Sequence, residues 1–324
     1  MTRRAALVLN PAAGTATSHD DAQTIIAALS EHFAVEVFET TKERDADACA
    51  RLAVAKRPDV VVASGGDGTV SLTASALVGT GVPLGIVARG TSNSIGAAFD
   101  ISSDLREAVD VIAHGVSRVV DTARANGRFM LLHASVGFHA ATVASTPRDA
   151  KNRWGVLAYL KEGLVQLADL AQFQVEIETE SEVVRCRAVN VAIANAAPTK
   201  TVLAQGPAVI VPDDGVLDIT VVAAETLGDV VLASVHLLRT AASNEAATRD
   251  NVGYLSAKRV RIVSDPPQTL VVDGEVIEGD TLDITCVPAS LAVMTPRTTA
   301  PDVPAPASPE IKVEGLPDLD VERK

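Results

Sequence analysis

Short apolar runs alternate with longer stretches of mixed polarity through the first part of the chain. The apolar runs predict β-strands at Ala5–Leu9, Val35–Phe38, Val60–Ala63 and Leu84–Ala88. The stretches that follow them have helical composition near residues 20–32, 45–56, 69–78 and 92–99. This β-α-β-α order is typical of a parallel sheet covered by helices, so we expect an α/β domain over residues 1–120.

The pattern changes near residue 118, where strand-like runs follow one another with turns between them. These runs are Arg118–Ala125, Phe129–Val136, Phe173–Thr179, Val183–Ala194, Val216–Val222, Lys258–Val263, Thr269–Val272 and Leu282–Val287. Such a succession predicts a second, mainly β domain with an antiparallel sheet over residues 121–289.

One segment of this second region is helical in pattern. Trp154–Leu170 places leucines 157, 160, 164 and 167 at helical spacing. A stripe that faces the protein core is the favoured interpretation, and an edge that faces a membrane is the alternative.

The last 27 residues, Thr298–Lys324, contain five prolines and six acidic residues but few large apolar side chains. A segment of this composition buries too little surface to offset the entropy of ordering. We therefore predict a disordered, acidic, proline-rich tail over residues 298–324.

Charge and cysteine content argue against some classes of function and indicate a cellular compartment. The net charge of −13 opposes binding to nucleic-acid phosphates and weakens adsorption to an anionic membrane. Three widely spaced cysteines form neither a disulfide framework nor a metal pattern, which favours a reducing cytoplasm. No apolar stretch approaches the roughly 20 residues that cross a bilayer. We expect a cytoplasmic protein that contacts the inner face of the membrane peripherally at most.

Residues 65–69, Gly-Gly-Asp-Gly-Thr, follow directly on the third predicted strand. Glycines Gly65, Gly66 and Gly68 permit positive φ and close approach to a ligand, and Thr69 can cap the following helix, whose amino end attracts anions. The carboxylate of Asp67 would repel a phosphate, so we expect a bridging Mg²⁺. The P-loop and dinucleotide patterns are both absent, and an ordinary strand-to-helix turn is the alternative.

Two other loops leave the carboxyl ends of predicted strands with small polar residues. They are Asn10–Thr15 and Gly90–Ser94. Ligands of open α/β sheets gather outside the carboxyl ends of the strands. The three loops therefore predict one binding site, although they lie far apart in the sequence.

With these loops in place, the chain resembles the bacterial diacylglycerol kinase and sphingosine kinase superfamily of lipid kinases over roughly residues 3–297. The segments that carry the resemblance are Asn10-Pro11 with Gly14, Gly65 to Thr69, Gly90-Thr91 with Asn93, Val136-Gly137-Phe138, Trp154–Tyr159, Pro212–Asp218 and Asp273-Gly274-Glu275. The resemblance implies a nucleotide-binding domain that is completed by residues 290–297, a β-sandwich-like second domain, and an active site in the cleft between them.

The resemblance also assigns roles. ATP would donate its γ-phosphoryl group to a hydroxyl of diacylglycerol or a related lipid, with Mg²⁺ neutralising the phosphates. Asp273 would be the general base with Glu275 in support, and Asp67 would bind Mg²⁺ through water. The nucleotide would be bound by the three loops, at Asn10, Gly14, Gly65, Gly66, Gly68, Thr69, Arg89, Gly90, Thr91 and Asn93.

Two of these segments have ordinary structural interpretations as well. Asp273-Gly274 is also a normal hairpin turn, and from the residues alone that interpretation is favoured. Asp213, Asp214 and Asp218 suit a metal in the family's structural site, but Asp-Asp-Gly is equally a turn.

The chain departs from the family pattern near the expected acceptor. Thr15 and Ala97 stand where the family usually has a basic residue, and Ser94 and His139 stand where it has an acid. Arg89 could restore one phosphate-binding charge, or could be a solvated loop charge. These departures leave two alternatives to an active lipid kinase, namely a non-catalytic nucleotide or lipid sensor and, less favoured, an NAD kinase. Pairing of an edge strand between two subunits would make a homodimer.

Overall fold

The computed structural model describes residues 2–14, 18–137, 172–198, 210–224, 229, 232–233, 236–237, 239–240, 249–297 and 312–324. Thr15, His139 and the predicted helical segment Trp154–Leu170 lie outside these described residues. The chain divides into two units, of which the first contains Met1–Val120 with Ala289–Val303 and the second contains Asp121–Pro288 with Pro304–Lys324.

The first unit is the predicted α/β domain. Its strands are β1 (Arg4–Leu9), β2 (Ala34–Glu39), β3 (Val60–Gly65) and β4 (Leu84–Ala88). Its helices are α1 (Ser18–Ser30), α2 (Ala46–Ala55), α3 (Asp67–Leu77), α4 (Ser94–Ala98) and α5 (Leu105–His114). The strands pair in parallel in the order β4-β3-β1-β2. The predicted parallel sheet is therefore confirmed, and α5 is a helix that the sequence analysis missed.

Burial explains why the apolar runs identify these strands. Every residue of β3 and β4 is buried, as expected for inner strands of a parallel sheet that is covered on both faces. Gly85 of β4 leaves room for Ile112 of α5, because an added Cβ would lie 2.9 Å from the Ile112 side chain. Val293, near the end of the long strand β16 (Thr281–Thr295), pairs in parallel with Leu84 and extends the sheet beyond β4.

The second unit consists of antiparallel strands, as predicted. The strands that precede β16 are β5 (Val116–Ala125), β6 (Arg128–Met130), β7 (His133–Gly137), β8 (Phe173–Thr179), β9 (Glu182–Ala188), β10 (Asn190–Ala194), β11 (Leu217–Val222), β12 (Val252–Ala257), β13 (Arg259–Asp265), β14 (Leu270–Val272) and β15 (Glu275–Ile277). One sheet has the order β12-β11-β10-β7-β14-β15. In the other, β8 lies between β9 and β13, and β13 pairs with residues 281–285 of β16.

Two of the predicted strands are each divided into two strands in the structure. Phe129–Val136 divides into β6 and β7, and Val183–Ala194 divides into β9 and β10. Apolar residues at the breaks, such as Leu131 and Val189, are buried in the core and gave no turn signal. The inward residues of both sheets form a continuous aliphatic core that includes Ile177, Ile193 and Ile262.

The prediction of a disordered tail is wrong for residues 312–324. Asp320–Arg323 forms a strand, β17, which pairs antiparallel with β9. Val313 and Leu316 are buried in the core of the second unit. The segment orders in spite of its composition because it adds to an existing sheet and core.

Among the described residues, no helix combines the length and apolarity that are needed to cross a bilayer. Cys49, Cys186 and Cys286 are buried free thiols, and desolvation raises the pKa of Cys186 and of Cys286 to about 12.

Candidate active site

The glycine-acid loop joins β3 directly to α3. The helix begins at Asp67, and Gly66 is its N-cap residue in an extended conformation with no side-chain cap hydrogen bond. The prediction that Thr69 caps this helix is therefore wrong, since Thr69 lies inside the first turn. The uncapped amino end leaves the first backbone N–H groups of α3 without a side-chain acceptor.

The glycines of this loop serve close packing. Gly65, Gly66 and Gly68 all have φ outside the left-handed region, so the positive φ expected for them is not adopted. A Cβ on Gly65 would lie 2.5 Å from Oγ1 of Thr69, and a Cβ on Gly90 would lie 2.8 Å from the Cα of Gly66. The second and third loops thus touch through their backbones, which only glycine allows.

Asn10 connects the first loop to the second. Its Nδ2 donates a hydrogen bond of 3.0 Å to Oγ1 of Thr69, and its Oδ1 accepts one of 3.0 Å from the N–H of Ala12. Thr69 is only 7% exposed, so its hydroxyl holds the loop in position from the buried side. The structure brings together Asn10, Gly65 and Thr69, as the convergence of the loops predicted.

Arg89 has a role that the sequence analysis missed. Its side chain is 7% exposed, so the interpretation as a solvated charge is wrong. The guanidinium donates to Oγ of Ser64 at 2.9 Å, to the carbonyl of Ala13 at 3.0 Å and to the carbonyl of Asn10 at 2.6 Å. A forked, permanently charged donor is suited to hold several oxygens at once. Arg89 therefore braces the ends of β1 and β3 from inside the protein.

Asp67 connects the second loop to the third. Its Oδ1 accepts a hydrogen bond of 3.0 Å from the N–H of Ile95, in the first turn of α4. Its Oδ2 accepts no hydrogen bond from the described residues, and the side chain is half-buried. One carboxylate oxygen is thus held while the other is available to a cation or to its waters.

The third loop is folded around Asn93. This residue has a left-handed φ of 52°, a conformation that asparagine tolerates well, and its Oδ1 accepts a hydrogen bond of 2.7 Å from the N–H of Gly90. Thr91 lies between them and is exposed, as is Gly68 in the second loop. The exposed surface of the assembled loops is therefore backbone and hydroxyl, with Asp67 as its acidic group. Gly14, with φ of 106°, ends the described part of the first loop.

In the second unit, Asp273-Gly274 is a two-residue hairpin turn between β14 and β15, with φ of 47° and 83°. The turn interpretation is thus confirmed. The carboxylate of Asp273 reaches a neighbouring loop and accepts three backbone hydrogen bonds, from the N–H groups of Leu131 at 2.7 Å, Leu132 at 2.9 Å and His133 at 3.0 Å. Glu275, two residues along, is exposed.

His133 lies beside this turn, at the start of β7. Its N–H donates to Asp273, and its carbonyl accepts the N–H of Asp273 at 2.9 Å. Burial lowers the pKa of the imidazole to about 4. The ring is therefore neutral at physiological pH, while the backbone of the same residue binds Asp273.

The three aspartates predicted to bind a metal do not assemble into one site. Oδ1 of Asp214 accepts the N–H of Val216, while Asp218 is buried and its Oδ1 accepts the hydroxyl of Ser256 at 2.8 Å. No cluster of three or more acidic, histidine or cysteine side chains that could hold a metal occurs among the described residues. The turn interpretation of this segment is the one that the geometry favours.

Asp121 is a buried acid that the sequence analysis did not single out. Its Oδ2 accepts the N–H of Gly215 at 2.6 Å, so it fixes the turn that contains Asp213 and Asp214. Burial, followed by the charges of Asp121 and Asp213, raises the pKa of Asp214. The signal that the sequence offered was an acidic residue directly after the apolar pair Val119-Val120 of β5.

Comparison with known proteins gives a coherent result over most of the chain. Residues 4–125 match the family model of the diacylglycerol kinase catalytic domain. Residues 133–295 match the model of the YegS C-terminal NAD kinase beta sandwich-like domain. The chain belongs to the diacylglycerol kinase and YegS-like family of lipid kinases. The resemblance stated from the motifs is therefore confirmed.

The match covers different shares of the relatives' lengths. An uncharacterised protein of Synechocystis is 41% identical over 73% of this chain, although the match spans only 54% of that relative. A probable lipid kinase, YegS-like, of Xanthomonas oryzae is 30% identical over 90% of this chain and 96% of its own length. A crystal structure of a putative diacylglycerol kinase from Bacillus anthracis covers 90% of this chain with a TM-score of 0.74 at 22% identity, which supports the fold.

Proposed function

We propose that this protein is an ATP-dependent lipid kinase that transfers the γ-phosphoryl group to a hydroxyl of diacylglycerol or a related lipid. The observation that carries the proposal is the assembly of three glycine-containing loops around Asp67 at the amino end of α3, in a chain of the lipid kinase family. The acceptor is a membrane lipid, so we expect the cytoplasmic protein to work at the inner face of the membrane.

The first unit suits the phosphates of a nucleotide. The uncapped amino end of α3 offers backbone N–H groups and the positive end of the helix dipole. Gly68 and Thr91 are exposed on the same assembled loops. Asn10, Thr69 and Arg89 would act indirectly, since their polar atoms hold the loops in place.

A magnesium ion fits this donor set. Mg²⁺ in phosphoryl-transfer sites is commonly held by one or two carboxylates, waters and the substrate phosphates. Asp67 supplies one carboxylate oxygen that no described residue engages. Mg²⁺ bound there would neutralise phosphate charge. Asp67 would hold the ion through Oδ2, the oxygen that does not accept the hydrogen bond from Ile95.

Asp273 would take the proton of the lipid hydroxyl, with Glu275 nearby on β15. The three backbone donors fix the orientation of the Asp273 carboxylate, which is what a base needs for reproducible proton transfer. The hairpin turn and the catalytic role are compatible, because the turn is what aims the side chain.

The direct test is transfer of label from γ-labelled ATP to a panel of lipid alcohols in mixed micelles with Mg²⁺. We expect turnover by the native protein and loss of it in Asp67→Ala. No transfer above the Asp67→Ala control, with any lipid, would contradict the proposal.

A second candidate is a nucleotide-binding sensor without turnover. Ser94 and Ala97 favour it, because they occupy α4, the helix whose amide at Ile95 binds Asp67. The variant with Ser94→Asp, Ala97→Arg and His139→Asp separates the two candidates. Activity that appears only in this variant supports the sensor, and good turnover by the native chain excludes it.

A further inference from the structure

The carboxylate of Asp273 is held by a two-residue loop, Leu131-Leu132, which joins β6 to β7. The three N–H groups that it accepts belong to Leu131, Leu132 and His133, the first residue of β7. Because the donors belong to successive residues, any shift of the loop moves all three together, and the carboxylate with them. The contacts on the other side of the loop therefore decide how firmly the carboxylate is oriented.

Asn195 holds that other side. Its Nδ2 donates a hydrogen bond of 2.8 Å to the carbonyl of Leu131, and its backbone N–H donates one of 2.7 Å to the carbonyl of Leu132. Nδ2 also donates to the carbonyl of Asp121 in β5, at 3.0 Å. One buried amide thus ties the loop to β5.

Two peptide groups connect Asn195 to Asp273, since the C=O and N–H of a trans peptide point to opposite sides. The carbonyl of Leu131 accepts from Nδ2 of Asn195 at 2.8 Å, and the N–H of the same peptide group donates to Oδ1 of Asp273 at 2.9 Å. The carbonyl of Leu132 accepts from the backbone N–H of Asn195 at 2.7 Å, and the N–H of that peptide group donates to the same Oδ1 at 3.0 Å. Hydrogen bonds in such chains polarise and strengthen one another.

The strand order explains why these residues meet. β10, β7 and β14 are neighbours in one sheet, and each pair of neighbours is antiparallel. Asn195 directly follows β10, the loop directly precedes β7, and Asp273 directly follows β14. In antiparallel neighbours, the end of one strand lies beside the start of the next. The three positions therefore share one end of the sheet, where Ala194 lies opposite His133.

The side chain of Asn195 is adapted to donating rather than to accepting. The residue is 1% exposed, and its Oδ1 has no hydrogen-bond partner among the described residues. A buried acceptor without a partner is unfavourable for the fold. Turning the amide over would place this oxygen against two carbonyl oxygens, so the two bonds from Nδ2 fix its orientation.

We propose that Asn195 is a positioning residue, which holds the loop so that the carboxylate of Asp273 keeps one orientation and stays ionised. The inference rests on the proposed function, in which Asp273 takes the proton of the lipid hydroxyl. Asn195 fixes the direction of the base, because proton transfer requires a reproducible geometry. It also strengthens the peptide donors to the carboxylate, which favours the ionised form over the protonated one.

Asn195→Leu tests the proposal, because leucine has a similar size but its side chain donates no hydrogen bond. We expect kcat with a lipid acceptor to fall about 10- to 100-fold while the KM for ATP stays within about twofold, since the predicted nucleotide loops belong to the first unit. The acid limb of kcat/KM against pH should move to higher pH by about 0.5 unit, because the carboxylate loses stabilisation. Asn195→Ser is too short to reach both carbonyls and should show the same changes if leucine impairs folding.

Ile193→Ala is the matched control for loss of stability. Ile193 lies on the same strand and is fully buried, but its side chain donates nothing to the loop. This variant should lower the melting temperature without moving the acid limb. The titratable residues on the adjoining strands, His133, Glu275 and Asp121, are the same in every variant, so they do not cause a difference between them. A lowered melting temperature with native kcat and an unmoved acid limb in the Asn195 variants would overturn the proposal.

A measurement without turnover separates this inference from the proposed function. The backbone amide NMR signal of Leu132 should respond to pH, and the part of the response that Asp273→Asn abolishes reports the ionisation of Asp273. We expect the midpoint of that part at higher pH in Asn195→Leu than in the native protein. A moved midpoint in a protein that phosphorylates no lipid would sink the proposed function but support the role of Asn195 towards Asp273. An unmoved midpoint would overturn the inference, whatever the turnover.

Discussion

Asp67 in the first unit and Asp273 in the second both lie next to a glycine, yet their carboxylates have different surroundings. Asp67 accepts one hydrogen bond from a described residue, at Oδ1 from Ile95. Asp273 accepts three from successive backbone N–H groups. An acid with an unengaged oxygen suits a cation or its waters, whereas an acid bound by three amides is first of all a fixed structural element. The same residue type beside glycine therefore does not imply the same chemistry.

Asp273→Asn gives the largest expected effect and separates these roles. Asparagine tolerates the left-handed φ, and its Oδ1 can still accept from Leu132 and His133, but its Nδ2 cannot accept from the N–H of Leu131. If Asp273 is the general base, turnover falls about 100- to 10,000-fold, whereas the free energy of unfolding falls by only about 1–3 kcal/mol for the one lost acceptor. The measurement is kcat with a lipid acceptor beside a thermal melt.

Asp273→Ala is the companion variant, because it removes the acceptor of three N–H groups. We expect a loss of about 2–4 kcal/mol in the free energy of unfolding, since those donors lose their partner. Activity in Asp273→Asn that stays within a few-fold of the native value would show that the carboxylate is structural only.

Arg89→Met tests whether the Arg89 guanidinium holds the ends of β1 and β3 in place. The substitution keeps an apolar stem of similar length but leaves the carbonyls of Asn10 and Ala13 without their buried donor. We expect about 3 kcal/mol lower stability and a KM for ATP that is raised about tenfold. Thermal melts and initial rates measure both. A raised KM with unchanged stability would instead indicate that Arg89 contacts the nucleotide.

Gly90→Ala probes the contact between the second and third loops, with Gly68→Ala as its matched control. A Cβ at position 90 would lie 2.8 Å from the Cα of Gly66, whereas one at position 68 has nothing within 4 Å. We expect Gly90→Ala to cost about 1–3 kcal/mol and Gly68→Ala to cost less than about 0.5 kcal/mol. Similar melting temperatures for the two variants would contradict the packing of these loops.

The smallest predicted effect is the pH dependence of stability that His133 causes in the second unit. Because the folded pKa of His133 is lowered to about 4, the unfolded chain binds this proton first as pH falls, and stability decreases from about pH 6.5 towards pH 4. His133→Gln should reduce this loss of stability by less than about 3 kcal/mol, because the residue as a whole is only half-buried. Denaturant melts at pH 7 and pH 4.5 measure it. An unchanged slope would show that the ring titrates normally.

The sequence predicted the first unit well because its information is local. Aliphatic runs identify strands that are buried on both faces, and each loop follows its strand directly. The bracing role of Arg89 was missed because its partners, the carbonyls of Asn10 and Ala13 and the hydroxyl of Ser64, lie far along the chain, and no sequence pattern displays such contacts. The order of residues 312–324 was missed for a similar reason, since it depends on β9 and on the core of the second unit rather than on the composition of the segment.

Binding of ATP with and without Mg²⁺, measured by calorimetry on native protein and on Asp67→Asn, tests the central claim most directly. Asparagine can keep the hydrogen bond to Ile95, so only the charge is lost. The account predicts that Mg²⁺ strengthens ATP binding to the native protein about tenfold or more, and that Asp67→Asn abolishes this dependence without lowering the melting temperature. Equal Mg²⁺ dependence in the two proteins would contradict it.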